Sequence, residues 1–272
     1  MVLTPYQQNI CRLIAANRIA SGASYIAGGV ALNTLLEGTR ISRDIDIFHD
    51  TEQAVTQSWD NDRSVLEEKG YSFEVLRERS VYVEAVVRKD GQSVRMEWAR
   101  DSAFRFFPLI ENDILGLTLH PFDLATNKAL ALAGRLEVRD WIDIITCHDK
   151  LQPLGYLLWA ACGKDPGFSP GSLLNESRRG SRYSEAEVDG LVYDAGKPDA
   201  ADLSRHWHIM LKEAEELIDL LPAEQTGMCV LDKAGDLFRG DPKALHKAVK
   251  KDKLCFHAGT LNGALPQIIE GP

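Results

Sequence analysis

The sequence contains no apolar run near the roughly 20 residues that a membrane-spanning helix requires, so no span is expected. Its first twenty residues, MVLTPYQQNICRLIAANRIA, lack a basic start followed by an unbroken apolar core, which argues against a secretory leader. Ile10, Leu13 and Ile14 repeat there as one face of an amphipathic helix. Cysteine is sparse and unpatterned: five residues, an odd number, with no CxxC pair. That argues against a zinc site or a disulfide framework. The expected setting is cytoplasmic, with thiols serving as small core residues. Positive charge is also in short supply, and the net charge is −9. Wholesale, non-specific coating of nucleic acid is disfavoured by that sign. A local basic patch stays compatible with an RNA partner. No internal repeat and no low-complexity tract occurs.

What is present is an ordinary globular composition: 272 residues, 44% apolar and 26% charged. A chain of this length buries about three quarters of its unfolded surface and needs no staples. The N-terminal part alternates helix and strand. Residues 5–20 pattern as a helix, Tyr25-Ile26-Ala27 as a short strand stopped by Gly28-Gly29, and Val30 to Leu36 as a second helix. Ile41 to Phe48 alternates apolar and charged residues as a half-buried strand does. A helix over 51–69 closes at Gly70. Three strands follow at 71–77, 81–88 and 92–99, the last two joined by the Lys89-Asp90-Gly91 turn.

The pattern changes near His120-Pro121. It is helical from there to about 162, with Pro121 in a first turn. Residues 163–183 read as a Gly/Pro/Ser-rich loop. A strong helix carries Leu203, Trp207, Met210, Ala214, Leu217 and Leu221, with Asp199 as its cap. Residues 228–239 offer a hairpin, 242–251 a Lys-rich helix and 253–257 a strand. The expected fold is α/β (α+β). A mixed sheet flanked by helices over 1–119 is followed by a mainly helical domain over 120–272, expected to complete the active site and contact the acceptor.

The chemistry concentrates in RISRDIDIFHD. Asp44 and Asp46 are two apart on a strand, so they point to one face, with carbons ~7 Å apart. Ile45 and Ile47 point the other way, into a core. Two like charges this close repel, and a hard divalent cation is the natural compensation. Mg²⁺ suits such a site because it binds through few carboxylates plus substrate phosphates. Alone, a D-x-D is more often a pair of solvated strand residues. Three neighbours add weight. Gly28-Gly29 sits between a strand and a helix, where exposed backbone N–H groups suit phosphate. Arg40 and Ser42 precede the acids and could meet a triphosphate. Glu97, in SVRMEWA, could bring a third carboxylate to the same face.

Together GGVALN, RISRDIDIF and VRMEW resemble the nucleotidyltransferase fold of the DNA polymerase beta superfamily. Its pattern is a glycine turn opening a helix, a strand with D-x-D, and a third acid on a neighbouring strand. HPFDLATNKALALAGRLEVRDWIDI is similar to the AbiEii branch, which includes the MenT-like toxins and carries a helical lysine, an arginine and an R-D-x-x-D cluster. Here these are Lys128, Arg135, Arg139, Asp140 and Asp143. The resemblance covers roughly residues 20–150.

The resemblance implies a Mg²⁺-dependent enzyme that moves a nucleotide from an NTP to an acceptor. Asp44, Asp46 and Glu97 would hold one or two ions, with Glu97 aiding a second ion or serving as base. Gly28, Gly29, Arg40, Ser42 and Lys128 would orient the triphosphate. Asp140 or Asp143 would position Lys128 or assist acceptor activation. Spacing alone also fits a salt-bridged helix surface for that cluster. The branch further implies a growth-arresting toxin with tRNA as acceptor and an antitoxin as partner. A small-molecule (aminoglycoside-type) adenylyltransferase and a nucleotide-binding module without turnover use the same fold.

A basic run of Lys243, Lys247, Lys250, Lys251 and Lys253, with Arg178, Arg179 and Arg182, is the candidate RNA-contact surface. His206 and His208 are two apart on a helix and face different ways, which disfavours a metal pair. His148-Asp149 and His49 carry no pattern of their own.

Overall fold

The computed structural model describes residues 3–179, 183–194 and 196–267. Two compact units divide the chain. One comprises residues 1–103, 109–120 and 192–195; the other comprises 104–108, 121–191 and 196–272.

The first unit is built on a seven-stranded mixed sheet. Its strands are β1 (Ser24–Ala27), β2 (Asp44–His49), β3 (Ser72–Arg79), β4 (Tyr82–Lys89), β5 (Gln92–Arg100), β7 (Ile110–Asn112) and β8 (Gly116–Thr118), in the order β3-β4-β5-β2-β1-β8-β7. The β3–β4–β5 meander runs antiparallel, β5 pairs with β2 in parallel, and β2 pairs with β1 antiparallel. The Asp90-Gly91 turn takes positive φ at both residues, as a tight two-residue hairpin demands.

Period-two alternation decides the sheet's faces. Ile45, Ile47, Val94, Met96 and Trp98 are buried, while Asp44, Asp46 and Glu97 between them are partly exposed. The apolar face packs on α1 (Pro5–Ser21) and α3 (Glu52–Glu68). Trp59 of α3 meets Trp98 at 4.8 Å between ring centroids and Phe73 at 5.4 Å. Each such side chain contributes roughly 1.5–3 kcal/mol by leaving water. A buried polar knot lies in the same layer. Arg18 reaches Asp62 at 3.4 Å, and Asp62 accepts from Asn17 at 2.9 Å and from the Trp98 indole at 3.0 Å.

The second unit is mainly helical: α4 (Pro121–Gly134), α5 (Val138–Lys150), α6 (Leu154–Ala161), α7 (Pro170–Ser177), α8 (Glu185–Asp189), α9 (Ala200–Leu220) and α10 (Pro242–Lys250). α6 is apolar on every side and buried throughout. Gly155 allows α9 to approach it: a Cβ at this position would stand 2.8 Å from Leu217 Cβ and 3.0 Å from the Ala214 carbonyl. Tyr156, Trp159, Leu217, Val230, Leu245 and Leu254 form one core there.

Three expectations change in detail. The stretch 163–183 is not all loop, because Ser169 and Ser172 form a capping box that starts α7 at Pro170. Strand β9 (Cys229–Asp232) takes β10 (Leu254–His257) as its main partner, while the expected 228–239 hairpin closes around a short bridge of Leu231 to Leu237, with Asp232 N–H donating to Asp236 O at 2.9 Å and Phe238 N–H to Val230 O at 3.1 Å. Short strands β6 (Phe104–Arg105) and β11 (Thr260–Leu261) pair with each other where none was expected. Among the described residues, no helix is long and apolar enough to cross a membrane.

Candidate functional site

Strand β1 ends at Ala27, opposite Asp46, and the chain turns through Gly28 into α2 (Gly28–Leu35). Gly28 has φ +66°, and a Cβ there would lie 3.0 Å from Asp46 Cγ and nearer still to its Oδ2. The helix therefore begins directly against the Asp46 carboxylate. A Cβ at Gly29 would lie 2.5 Å from Arg40 Nη2 and 3.0 Å from Ser42 Oγ. Gly28, Gly29, Arg40, Ser42 and Asp46 are thus one constellation around the start of α2. The N-cap residue Ala27 makes no side-chain cap bond, and the first N–H groups of the helix carry partial positive charge. The Arg40 guanidinium adds a full one, so an anion is favoured there.

The segment carrying Arg40 and Ser42 is fastened on both sides. Gln7 Nε2 donates to the carbonyls of Ser42 at 2.8 Å and Arg43 at 3.3 Å. Gln7 is itself fixed, because its Oε1 accepts the Thr4 N–H in the capping box of α1. On the other side, Ile41 donates to Val192 O and Asp194 donates to Thr39 O, both at 2.9 Å. Asn33, in GGVALN, donates to the Gly29 carbonyl at 2.9 Å and braces the first turn.

The parallel register of β2 and β5 sets Asp44 opposite Arg95 and Asp46 opposite Glu97. Strand β4 then sets Glu84 opposite Glu97. Three carboxylates, Asp46, Glu97 and Glu84, stand in one row across three strands. The sequence reading missed Glu84, Arg95 and Tyr82. Arg95 pairs with Glu84 and reaches Glu97 at 3.4 Å. Tyr82 donates to Glu84 Oε2 at 3.3 Å. Burial, with the charges of Glu97 and Glu84, pushes the Tyr82 hydroxyl up to about 12. Partial burial works against the Arg95 charge, but Glu84, Glu97 and Asp44 outweigh it and raise its pKa. Arg95 was legible as a same-face neighbour of Glu97 two residues away, whereas Glu84 needed the register.

A divalent cation fits the donor set on chemical grounds. Asp44, Asp46 and Glu97 offer hard oxygens on one sheet face, and the absence of a side chain at Gly28 leaves the Asp46 carboxylate its space.

In the second unit, Lys128 of α4 and both aspartates of α5 form a buried cluster. Lys128 Nζ lies 2.8 Å from Asp140 and 3.1 Å from Asp143, each aspartate fully buried. Arg135 closes on Asp140 at 2.7 Å. Burial pushes Asp140 up, but Lys128 and Arg135 outweigh it and hold its pKa below the ordinary value. Both acids, not one, hold the lysine. Arg139 lies apart, 3.8 Å from Glu137.

Among the described residues, the candidate RNA contacts are exposed. Arg178 and Arg179 line a depression with Leu136, Tyr183 and Glu187. Each is also ion-paired, Arg178 with Glu215 at 3.0 Å and Arg179 with Glu176. Arg182 lies outside the described residues. Lys247 and Lys250 sit on α10 and Lys251 caps it, all exposed.

The structure brings His206 to His148 and Asp149. His206 Nε2 lies 2.8 Å from Asp149, and the two imidazoles meet edge to face at 5.6 Å. By distance alone the three could surround a metal. However, His148 Nδ1 accepts the N–H of Leu154, the first residue of α6, at 3.0 Å. That puts the neutral ring's proton on Nε2 and leaves it no lone pair for a cation. His148 is a helix cap. His208 faces elsewhere, beside the Ser204 carbonyl at 2.7 Å. His49 is buried, and desolvation lowers its pKa to about 4.

A glycine turn opening a helix, a D-x-D strand beside it and a third acid one strand over thus stand together on one sheet. No family model matches the chain, and no curated protein does. Among solved structures it is similar to JHP933 from Helicobacter pylori, with 16% identity over 80% of this chain and 95% of that one and a TM-score of 0.49. It is also similar to MenT4, a nucleotidyltransferase toxin from Mycobacterium tuberculosis, with 17% identity over 80% of this chain and 87% of that one and a TM-score of 0.48.

Proposed function

We propose that the protein is a nucleotidyltransferase that transfers NMP from an NTP to an acceptor hydroxyl with Mg²⁺, breaking the α–β phosphoanhydride bond and releasing pyrophosphate. The observation that carries this reading is the contact of the Gly28-Gly29 helix start with Asp46 on one side and with Arg40 and Ser42 on the other. An anion site and a cation site share one turn, as a metal-chelated triphosphate requires.

In this reading Asp44 and Asp46 hold the cation, and Glu97 contributes to a second ion or takes the acceptor proton. When bound, Mg²⁺ neutralises phosphate charge and orients the attacking and leaving oxygens. The α2 N-terminus, Arg40 and Ser42 grip the phosphates, and Gln7 and Asn33 keep those groups aimed. Most of the rate comes from such positioning and from charge stabilisation. Lys128 is a further phosphate contact, oriented by Asp140 and Asp143.

The acceptor is RNA, with the tRNA 3′ end as its reactive terminus, and the protein is the toxin of a toxin–antitoxin pair. The exposed Arg178, Arg179, Lys247, Lys250 and Lys251 support an RNA contact, and the AbiEii/MenT-like resemblance supports the toxin role. The test incubates the protein and Asp46→Asn with Mg²⁺ and each labelled NTP, in parallel with total tRNA, aminoglycosides or no acceptor. Label on tRNA that Asp46→Asn abolishes is the expected result. Label on the drug replaces the acceptor assignment with a small molecule. NTP binding without transfer to anything overturns the enzymatic reading.

A further inference from the structure

We propose that Arg95 is an internal cation that competes with the divalent ion for Glu97, with Glu84 as its anchor. The inference rests on the reading of Asp44, Asp46 and Glu97 as the ion's ligands.

Asp46, Glu97 and Glu84 are direct cross-strand neighbours on one face. Strands stand about 4.8 Å apart, and like charges directly opposite each other destabilise a sheet. A positive charge is needed whenever no metal is bound. Arg95, in the adjoining row opposite Asp44, supplies it. Its planar guanidinium presents its donors in a rigid fork, so Nη2 and Nε can serve the two carboxylates at once in a fixed geometry. The two contacts are unequal. The Arg95 Nη2 contact with Glu84 is close, whereas its Nε stands 3.4 Å from Glu97.

Glu84 is well placed as the anchor. It is 5% exposed and also accepts from Tyr82. Glu97 is more open, with a side chain 27% exposed, and the Arg95 side chain is 47% exposed and has room to move. An arriving ion would therefore draw Glu97 away from Arg95, which stays on Glu84. Metal affinity is set below what the three carboxylates alone would give. The ion is held firmly only when the phosphates of a substrate add their own oxygens.

Mn²⁺ binding to the full chain without nucleotide, read by electron paramagnetic resonance, tests this. Arg95→Met should tighten Mn²⁺ by roughly fivefold, the scale of coupling between contacting residues. The gain should vanish when Glu97→Gln is already present. Glu84→Gln should weaken Mn²⁺ in the otherwise native chain, by releasing Arg95 onto Glu97, and should change nothing once Arg95 is Met. Arg95→Lys, which keeps the charge but loses the fork, should show a smaller gain and serves should the Met variant misfold.

The proposal is overturned if Arg95→Met leaves affinity unchanged or lowers it. It is equally overturned if the gain persists in Glu97→Gln, since a general field effect would then explain it. Asp44→Asn and Asp46→Asn run alongside. Loss of Mn²⁺ in those variants upholds the ligand reading whatever Arg95 does. Unchanged Mn²⁺ binding removes the ligand reading and this inference together.

Discussion

Gly28 presses its backbone against the Asp46 carboxylate, so the turn that starts α2 and the central acid of the sheet share one contact. The relationship explains why this turn must be glycine twice over. Its φ of +66° is a left-handed conformation that costs an L-residue about 1–2 kcal/mol, and its Cβ has no space. Gly28→Ala should therefore destabilise the protein by at least that amount in a denaturant melt. It should also weaken Mn²⁺ binding tenfold or more, because the clash is relieved by moving Asp46. Native stability with native metal binding would show that the turn does not shape the site.

A second expectation concerns Gln7, which no motif flagged. Its amide N–H₂ faces two carbonyls, those of Ser42 and Arg43. Gln7→Glu replaces a donor with a carboxylate that only accepts, leaving buried carbonyls without partners at about 1–3 kcal/mol. We expect a lower unfolding midpoint and a raised KM for NTP, with metal affinity little changed, since Gln7 supports the phosphate side. A fall in kcat alone would contradict that division.

The alternation of β2 and the β3–β5 meander was legible because both follow from period two and from the Lys89-Asp90-Gly91 turn. The D-x-D and glycine pair were legible for the same local reasons. What escaped was non-local or very short. Glu84 meets Glu97 only through strand register, and His206 meets Asp149 across 57 residues. Helix α7 hid in GFSPGSLLNES, where glycine and proline suggest a loop. Its Ser169-Pro170 start and Ser172 are nevertheless a capping box in plain view. Strands β6 to β8 have two or three residues each, too few for any periodicity to register.

The buried Lys128 cluster makes a stability prediction separate from any role in transfer. Lys128→Met leaves two fully buried aspartates against Arg135 alone among these cations, and should cost about 3–5 kcal/mol. The pH dependence has a definite sign. Asp140 has a depressed folded pKa, so its contribution is present above its unfolded value and lost as pH falls through the folded one. Removing Lys128 raises that folded pKa towards or past the unfolded value, so the variant's stability should fall less with acid than the native chain's does. Urea melts from pH 3 to 7 would reveal it.

His148 gives the complementary case. Burial is the main cause that lowers it from 6.5 to about 4, with His206 and Arg239 adding to the shift and Asp149 opposing it. Glu213 also faces it, at 3.7 Å. The folded protein thus keeps the ring neutral while the unfolded chain takes up a proton near 6.5. Its stabilisation is complete above 6.5 and is lost as pH falls towards 4, by about 3 kcal/mol at 1.36 kcal/mol per unit. The physical reason is the cap: Nδ1 must keep its lone pair for the Leu154 N–H. His148→Asn offers an amide oxygen in that place without titrating. It should retain the stability of α6 at pH 7 and flatten the fall between 6.5 and 4. Some slope should remain, because His49 is buried and neutral in the same way. An unchanged slope in His148→Asn would mean that His148 titrates normally and that the cap is made by another group.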